Sequence, residues 1–377
     1  MNLSELDLAR LHEALSLAET AIGVSDPNPR VGCVIGLPDG RVLGSGATQQ
    51  AGGPHAEVMA LRAARVAGPS VRGATAWVTL EPCAHQGRTP PCCDALIDAG
   101  IARVVVSMAD PFPQVNGTGI ARLRAAGVKV DLAGGAVATA ARELNIGFLS
   151  RVLRGRPWVR MKIAASLDGR TALANGASQW ITGDAARADG HAWRRRASAV
   201  LTGIGTVLDD DPRLDVRAVP TLLQPVRVVV DSGLRTPPTA RLLAPPGKVL
   251  IVAAAADGAE GAARRAALEA QGAEVLIQTG PGGKVDLAAL LDSLGARGVN
   301  ELHVEAGHKL NASLLRAGLV DELLVYLAPK LIGLGREMAA FGPLESLTDA
   351  LQFHFLDFAR VGEDLRLLAR RVGQDEF

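Results

Sequence analysis

Short runs of apolar residues alternate with amphipathic segments along the chain, and turns rich in Gly and Pro separate them. In the first half, the apolar runs predict about five strands, at 30–36, 41–47, 75–80, 102–108 and 128–132. Helical spacing fills the intervals, beginning with a helix to about Ile22 whose apolar side carries Leu3, Leu6, Leu11, Leu15 and Ala18. Strands that alternate with helices are typical of an α/β fold, with helices on both faces of the sheet.

A second series of strands and helices follows the basic, proline-containing stretch RVLRGRPW at 151–158. Here the apolar runs predict strands at 157–166, 198–203, 225–232, 247–255, 273–278, 300–307 and 321–331. A chain of 377 residues exceeds the size at which one hydrophobic core stops growing. We therefore take the basic stretch as a boundary and predict two domains, at 1–150 and 151–377.

Composition and charge exclude several classes of protein. The chain is 48% hydrophobic and 21% charged, which is typical of a globular protein. A formal net charge of +1 and an aromatic content of 3% argue against nucleic-acid binding. With neither a secretory leader nor about 18 uninterrupted apolar residues, we expect a cytoplasmic protein without a membrane partner. Four cysteines in such a chain argue against a disulfide framework, which leaves metal binding or core packing.

Two short stretches, GGPHAEVMALRAA and TLEPCAHQGRTPPC, carry the chemistry of the first domain. Each contains proline that favours a helix start, before His55 and Glu57 in the first stretch and before Cys92 in the second. Helix N-termini favour thiolates, and one imidazole with two thiolates leaves zinc a fourth position for water. We therefore predict a catalytic zinc site at His55, Cys83 and Cys92. Glu57 would carry the proton from the water to the departing amine.

Three other interpretations of these residues remain open. An isolated His or Cys is more often a capping or core residue; we expect Cys33 to lie in the core and Cys93 to point away from the metal. A structural zinc site closes with four protein ligands, which would require Cys93 or His85 to join. A nucleic-acid deaminase with an appended binding module also fits the motif alone, although the charge and the few aromatic residues argue against it.

The stretches DPNPRVGCVI, GGPHAEVMALRAA and EPCAHQGRTPPCCDALIDAGIARVVV resemble the deaminase domain of the bifunctional riboflavin-biosynthesis deaminase–reductase family. That family shares the long spacing of eight residues between the two cysteines. The resemblance implies a cytidine-deaminase-like, three-layer α/β/α domain that binds Zn²⁺ through His55, Cys83 and Cys92, with Glu57 as proton donor. It also implies a diaminohydroxypyrimidine substrate bearing a phosphoribosylamino group.

Further substrate contacts are expected around this pocket. Asn28, in the turn NPRVG, is predicted to hydrogen-bond the pyrimidine edge, with a purely turn-forming role as the alternative. Arg88, in the enlarged loop between the cysteines, is predicted to meet the ribose phosphate, because a guanidinium matches phosphate geometry. Its alternative is a solvated loop arginine. His85 fits a substrate contact and a loop-forming role equally well.

Without a resemblance, the second half predicts only an α/β domain with an anion site. The dinucleotide fingerprint G-x-G-x-x-G is absent, and TGIGTVLDDDP offers only its first two glycines. The stretch NELHVEAGHKLNASLLRAG predicts a strand, a turn at Gly307 and a helix from about Leu310. The free N–H groups at such a helix start suit a phosphate, although this turn is common.

The stretches VRMKIAASLDGRTALANGASQWITG, AVLTGIGTVLDDDPRLDVR, VVVDSGLRTP and HVEAGHKLNASLLRAGLVDELLVYLAPKLIG resemble the reductase domain of the same family. The resemblance implies a dihydrofolate-reductase-like α/β fold that uses NADPH. Positions matching the family's cofactor contacts are Ala164, Trp180, Thr206, Asp210, Ser232, Gly307, His308, Lys309, Leu310, Asn311, Ala312 and Ser313. Positions matching its substrate contacts are Ser178, Arg194, Leu214, Arg217 and Glu305. Lys162 is a further candidate, to orient the ribose or supply a proton, with a solvated strand-edge lysine as the alternative.

The resemblance implies two reactions. Zinc-dependent hydrolysis would deaminate 2,5-diamino-6-(phosphoribosylamino)pyrimidinone, and NADPH would reduce the ribosyl chain of 5-amino-6-(phosphoribosylamino)uracil to ribityl. The expected partners are these small molecules, with neither nucleic acid nor membrane, and a homo-oligomer is left open. Ser232 and Arg235 are expected to select NADPH over NADH.

Overall fold

The computed structural model describes residues 3–68, 70–85, 90–111 and 116–373. The chain divides into two compact units, and the division falls between Arg154 and Gly155. A helix at Ile146–Arg154 ends the first unit, so the basic stretch begins inside a helix and continues into the first strand of the second unit. Within the described residues, no helix combines the length and the apolar character that crossing a lipid bilayer requires.

A five-stranded sheet forms the centre of the first unit as far as it is described. Its strands are β1 (Gly32–Gly36), β2 (Val42–Ala47), β3 (Thr75–Val78), β4 (Arg103–Val106) and β5 (Lys129–Leu132), in the spatial order β2-β1-β3-β4-β5. Strand β1 is antiparallel to β2 and β3, whereas β3, β4 and β5 are parallel. The helices are α1 (Glu5–Glu19), α2 (Ala56–Ala67), α3 (Cys92–Asp98), α4 (Thr118–Ala125), α5 (Gly135–Leu144) and α6 (Ile146–Arg154).

Helices cover both faces of this sheet. Cys33 and Ile35 of β1 belong to a buried apolar cluster with residues of α2, α3 and α4. The intervening Val34 belongs to a second cluster with residues of α1 and α5. Because successive side chains of a strand point to opposite faces, the two clusters lie on opposite sides of the sheet. This arrangement confirms the predicted three-layer α/β/α class.

Helix α1 departs from its simple amphipathic pattern at Asp7. This carboxylate is only 3% exposed, and it accepts hydrogen bonds from Trp77 Nε1 at 2.8 Å and from Arg103 Nη1 at 2.7 Å. Ser4 and Asp7 also form a capping box at the helix start. Burial raises the pKa of Asp7, but the hydrogen bonds from Arg103 and Trp77 outweigh burial and hold the pKa well below its usual range. A charged residue therefore anchors α1 to the sheet.

Glycines in β2 allow α2 to approach the sheet closely. A Cβ atom on Gly44 would lie 2.4 Å from the carbonyl oxygen of Ala60, and one on Gly46 would lie 2.4 Å from Met59 Cβ. Neither distance is compatible with a side chain, so only glycine permits this packing. The position of α2, and of the residues at its start, depends on this contact.

The second unit contains a nine-stranded sheet in its described part. Its strands are β6 (Trp158–Ser166), β8 (Ala199–Gly203), β9 (Val226–Val230), β10 (Val249–Ala253), β11 (Glu274–Ile277), β12 (Glu301–Val304), β13 (Glu322–Ala328), β15 (Phe353–Val361) and β16 (Asp364–Arg371). Their spatial order is β11-β10-β9-β8-β12-β6-β13-β16-β15. Neighbouring strands are parallel from β11 to β13, and β16 and β15 continue the sheet antiparallel. The helices are α7 (Asp184–Arg196), α8 (Ile204–Asp210), α9 (Gly258–Ala270), α10 (Leu287–Ala296) and α11 (His308–Arg316).

Two pairs of strands in this unit have no counterpart in the predicted elements. Strand β7 (Arg170–Leu173) pairs with β14 (Gly335–Glu337) as a separate ribbon, and β15 pairs with β16 at the edge of the large sheet. Most side chains of β15 are exposed, including Phe355 and Phe358. A strand without one buried face has no clean apolar alternation, so hydrophobic periodicity does not reveal it.

A buried ion-pair network lies in the sheet of the second unit. Arg160 Nη1 donates to Glu301 at 2.7 Å, and Arg160 Nε donates to Glu322. Arg196 donates to the same Glu301 oxygen at 2.9 Å, and Arg370 donates to Glu322 at 3.2 Å. Both carboxylates are almost fully buried, so the arginines supply the polar partners that water cannot supply there.

Candidate metal centre and strand-end site

Three ligand atoms converge in the first unit. His55 is the residue immediately before α2, Cys83 follows β3, and Cys92 is the first residue of α3. His55 Nδ1 lies 3.7 Å from Cys83 Sγ and 3.4 Å from Cys92 Sγ. All three ligand atoms lie within 4.8 Å of one another. Atoms that share one tetrahedral zinc are about 3.5–3.8 Å apart, so the donor set and its spacing fit a zinc ion.

The thiols and the imidazole are electrostatically coupled. The pKa of Cys83 is lowered to about 4, because Cys92 hydrogen-bonds its sulfur and His55 lies beside it. The same hydrogen bond and burial raise the pKa of Cys92, so Cys83 ionises first. The pKa of His55 is raised, chiefly by its hydrogen bond to Cys83. A site that favours a thiolate beside an imidazole suits a divalent cation.

Glu57 lies in the first turn of α2, two residues after His55. Glu57 is buried, with 3% of its surface exposed. Burial, with a smaller contribution from Cys83, raises the pKa of Glu57 to about 7. A carboxyl group with a pKa near neutrality can both accept and release a proton at working pH. Glu57 therefore combines a position in the helix turn that follows His55 with a pKa suited to accepting and releasing a proton.

The remaining cysteines do not join the three ligands. The Cys93 thiol donates to the carbonyl oxygens of Pro82 and Gly119 at 3.2 and 3.5 Å, and its pKa is raised to about 12 by burial. Cys33 is fully buried in β1. Both therefore behave as packing residues, which is what adjacent helical positions and a strand interior lead us to expect.

Of the predicted pyrimidine and phosphate contacts, Asn28 lies within the described residues. Asn28 is half-buried in a turn, where its backbone N–H donates to Ser25 at 2.8 Å. Arg88 lies outside the described residues. His85, at the near end of the same loop, is half-buried.

Sequence reasoning overlooked Glu81, in the same EPC motif as Cys83. This carboxylate is 4% exposed and accepts backbone hydrogen bonds from Asp110, Gly117, Gly119 and Ile120. Its partners are distant in sequence, so a motif search over local residues does not find them. A carboxylate in an otherwise apolar strand end was the available signal.

In the second unit, Arg194 and Glu305 form a two-point ion pair. Arg194 Nη2 donates to Glu305 Oε2 at 2.8 Å, and Nε donates to Oε1. Burial raises the pKa of Glu305, but Arg194 outweighs burial and holds the pKa well below its usual range. His303 Nε2 lies 3.4 Å from the same carboxylate, and burial lowers the pKa of His303. Glu305 is therefore an ionised acceptor just beyond the end of β12.

Asp215 links three arginines near this pair. Its carboxylate accepts from Arg213 at 3.0 and 2.9 Å and from Arg217 at 2.6 Å. Its backbone oxygen accepts from Arg194 Nη1 at 3.0 Å. Leu214, between two of these residues, is buried with a φ of 54°. Among the predicted substrate positions, Arg194 and Arg217 thus donate to Asp215, and Leu214 is its neighbour in the chain. The sequence alone did not single out Asp215.

Lys162 is not a lysine of a strand edge. It lies on β6, which has β12 on one side and β13 on the other. Its Nζ is 5.9 Å from the centroid of the Tyr326 ring. Burial lowers the pKa of Lys162, and the charge of Glu305 opposes that shift. An ammonium group whose pKa is lowered in this way releases a proton more readily than a solvated lysine.

The predicted cofactor positions lie at several strand ends. Helix α11 begins at His308, earlier than the predicted Leu310, because Gly307 already takes the extended conformation that precedes a helix. A Cβ atom on Gly307 would lie 3.6 Å from Thr206 Oγ1, so the two segments are neighbours. Residues 308–313 form the first turns of α11 (His308, Lys309, Leu310, Asn311, Ala312 and Ser313).

The other predicted positions make separate contacts. Ser178 Oγ donates to Asp210 at 3.3 Å, whereas the hydroxyl of Ser232 accepts from Val285 N–H at 3.2 Å. Trp180 is 61% exposed, so it is not a core residue, and the Arg187 guanidinium stacks 4.6 Å from its ring centroid. Ala164, half-buried on β6, pairs with Tyr326 of β13.

Comparison with known proteins identifies the family of this chain. Residues 4–108 match the cytidine and deoxycytidylate deaminase zinc-binding region, and residues 157–367 match the RibD C-terminal domain. The riboflavin biosynthesis protein RibD of Escherichia coli (strain K12) is 46% identical over 367 residues, covering 94% of this chain and 96% of that protein. The chain belongs to the RibD family.

Two solved structures match this chain in fold and over nearly its whole length. Form 1 of Acinetobacter baumannii RibD has a TM-score of 0.88 and 40% identity, covering 98% of this chain and 99% of that one. A second structure is a Thermotoga maritima diaminohydroxyphosphoribosylaminopyrimidine deaminase/5-amino-6-(5-phosphoribosylamino)uracil reductase. It has a TM-score of 0.85 and 32% identity, and the match covers 97% of this chain and 99% of that one.

Membership of the RibD family confirms the predicted class of activity. The chain is a bifunctional deaminase and reductase of riboflavin biosynthesis. Its deaminase domain is a zinc-binding domain, and its reductase domain is of the type that uses NADPH.

Proposed function

We propose that His55, Cys83 and Cys92 hold the zinc ion of the deaminase domain and that Glu57 is the catalytic acid and base. The observation that carries this assignment is the convergence of the three ligand atoms within 4.8 Å, with the buried Glu57 in the adjoining helix turn. When bound, the ion supplies a Lewis acid that activates water for attack on the pyrimidine. Glu57 accepts the proton that the water loses and returns it to the departing amine, so ammonia leaves as a neutral molecule.

The substrate of this step is inferred to be 2,5-diamino-6-(phosphoribosylamino)pyrimidinone. The name of the Thermotoga maritima protein specifies a diaminohydroxyphosphoribosylaminopyrimidine, and the Escherichia coli relative is named as a riboflavin biosynthesis protein. Asn28 would orient the pyrimidine edge, and Arg88 would bind the ribose phosphate. The aromatic content of 3% and the net charge of +1 favour a small molecule over a nucleic-acid substrate.

For the second step, we place the substrate against the Arg194–Glu305 pair of the reductase domain. Arg194 and Arg217 supply positive charge for the ribose phosphate, and the ionised Glu305 accepts hydrogen bonds from ribose hydroxyls. Ser178 and Leu214 complete the proposed substrate contacts. Lys162, which is partly desolvated beside Glu305, is the proposed proton donor.

NADPH supplies the hydride that converts the ribosyl chain to ribityl. Its proposed contacts are one set of residues at the strand ends and in α11, namely Ala164, Trp180, Thr206, Asp210, Ser232 and 307–313. The start of α11 offers backbone N–H groups, which suit a phosphate of the cofactor. Selection of NADPH by Ser232 and Arg235, a cytoplasmic location and any homo-oligomer stay predictions.

Product masses test both steps in one experiment. The diaminopyrimidine ribotide should gain about one dalton without NADPH, because an amine is replaced by oxygen. It should gain about two further daltons when NADPH is added, because one hydride and one proton are transferred. Cys83→Ser should abolish the first change and leave reduction of the deaminated intermediate intact. A variant that still deaminates would overturn the assignment of Cys83 as a ligand.

A further inference from the structure

Glu81 connects the metal-ligand loop, residues 81–84 around Cys83, to a part of the first unit that is distant in sequence. It lies two residues before Cys83, at the end of the segment that follows β3. Its Oε1 accepts from Gly119 N–H at 2.9 Å and from Ile120 N–H at 3.1 Å. Its Oε2 accepts from Gly117 N–H at 3.0 Å and from Asp110 N–H at 3.2 Å.

Three of these amides belong to the start of α4. The first N–H groups of a helix have no partner within the helix, and their partial positive charge favours a carboxylate. The residue that precedes α4 is Gly117, whose own side chain cannot cap the helix. Glu81 therefore caps α4 from another segment of the chain, with charge-assisted hydrogen bonds in a buried setting.

Other contacts join the same two segments. A Cβ atom on Gly119 would lie 2.0 Å from the carbonyl oxygen of Pro82, so the helix start touches the backbone beside Cys83. The Cys93 thiol donates to the carbonyl oxygens of both Pro82 and Gly119. Arg122, one turn into α4, donates to the carbonyl oxygen of Ala84 at 3.1 Å. The chain on both sides of Cys83 is thus held by α4.

We propose that Glu81 is a positioning residue for the zinc site, which fixes the backbone that carries Cys83 by capping α4 from the metal-ligand loop. The inference rests on the zinc assignment above, but it concerns a residue that binds neither the ion nor the substrate. Groups that orient metal ligands commonly change metal affinity by about 10–100-fold when they are removed. Here the orientation acts through the backbone of residues 81–84 rather than through a ligand side chain.

Glu81→Gln is the direct perturbation. The amide keeps the size of the side chain but directs an N–H₂ group toward backbone donors, so part of the cap is lost. Zinc affinity, measured by chelator competition on the full-length protein, should fall by about 10–100-fold. The kcat of deamination at limiting zinc should fall with it, whereas reductase activity of the same sample should be unchanged.

Asp7→Asn is the matched control. Asp7 is also a buried carboxylate of the first unit, and its partners are Ser4, Trp77 and Arg103. The control should lower thermal stability without changing zinc affinity. Equal zinc affinity in Glu81→Gln and in the unmodified protein would overturn the proposal, as would an equal loss of affinity in Asp7→Asn.

A second measurement needs no variant and applies even if Glu81→Gln does not fold. Coupling between two sites is reciprocal, so removing zinc should loosen the amides that Glu81 binds. Hydrogen exchange of Gly117, Gly119 and Ile120 should accelerate on chelation, whereas exchange in α5 should change little. Unchanged exchange in α4 would contradict the proposal. If the unmodified protein bound no zinc, the zinc assignment itself would fail, which is a different outcome.

Discussion

Asp215→Asn tests the proposed phosphate site of the reductase without altering any residue that would touch the substrate. Asp215 fixes Arg213 and Arg217 through its carboxylate, with donor–acceptor distances between 2.6 and 3.0 Å. Burial raises the pKa of Asp215, but the two arginines outweigh burial and lower it. The carboxylate is therefore ionised at neutral pH, and an amide in its place would release at least one guanidinium.

The exposure of the two arginine side chains determines how much Asp215→Asn should change stability. The side chains of Arg213 and Arg217 are 39% and 51% exposed, so solvent screens both ion pairs. Each pair should contribute about 0–1 kcal/mol to stability, and the free energy of unfolding should change little. A misplaced Arg217 would weaken a charged hydrogen bond to phosphate by about 1–2 kcal/mol, which raises KM about 5–30-fold.

Steady-state kinetics with the deaminated intermediate provide the assay. We expect KM to rise while kcat changes little, because the lost interaction is the same in the bound substrate and in the transition state. Glu274→Gln is the matched control, since Glu274 forms a similar two-point pair with Arg297 on the surface of the same unit. An unchanged KM in Asp215→Asn, or an equal rise in the control, would refute the proposed phosphate site.

Two further predictions concern stability. Burial, with Arg194 and Arg217, lowers the pKa of His191 to about 4, so protons bind the unfolded chain more strongly. The contribution of neutral His191 to the free energy of unfolding is complete above about pH 6.5 and falls by about 2 kcal/mol near pH 5. In urea unfolding, His191→Gln should therefore show a weaker pH dependence of stability than the unmodified protein. An equal pH dependence would contradict this assignment. Arg160→Met should cost about 3–5 kcal/mol in urea unfolding by leaving Glu301 and Glu322 underpaired. Arg265→Met, which breaks an exposed pair with Glu269, should cost under about 1 kcal/mol, and equal losses would count against the buried network.

The sequence predicted the zinc ligands as candidates because local rules determine where they lie. Proline before His55 and before Cys92 favours helix starts, and the strand–loop–helix order brings those starts to one edge of the sheet. The apolar runs likewise predicted the five strands of the first unit and the seven parallel strands of the second, since buried strands are often continuous apolar segments. They did not predict β7, β14, β15 or β16. The sheets and their covering helices confirm the α/β class that these runs predicted.

The residues that were missed act over long sequence distances. Glu81 binds amides near residue 117, and Asp7 binds Trp77 and Arg103. The backbone oxygen of Asp215 accepts from the distant Arg194, although its carboxylate binds arginines only two residues away. A prediction from hydrophobic periodicity assigns every carboxylate to the solvent-facing side of an element. It cannot identify the distant hydrogen-bond donors that offset the cost of burying such a charge. The start of α11 was placed late for a local reason, since Gly307 and His308 both resemble turn residues.

X-ray absorption at the zinc edge of the purified full-length protein tests the catalytic zinc site most directly. We predict one imidazole nitrogen at about 2.0–2.1 Å and two sulfurs at about 2.3 Å, with a light-atom ligand from solvent in the fourth position. In Cys83→Ser, the sulfur contribution should fall to one. A third sulfur, or a second imidazole that closes the site, would contradict a catalytic centre at His55, Cys83 and Cys92.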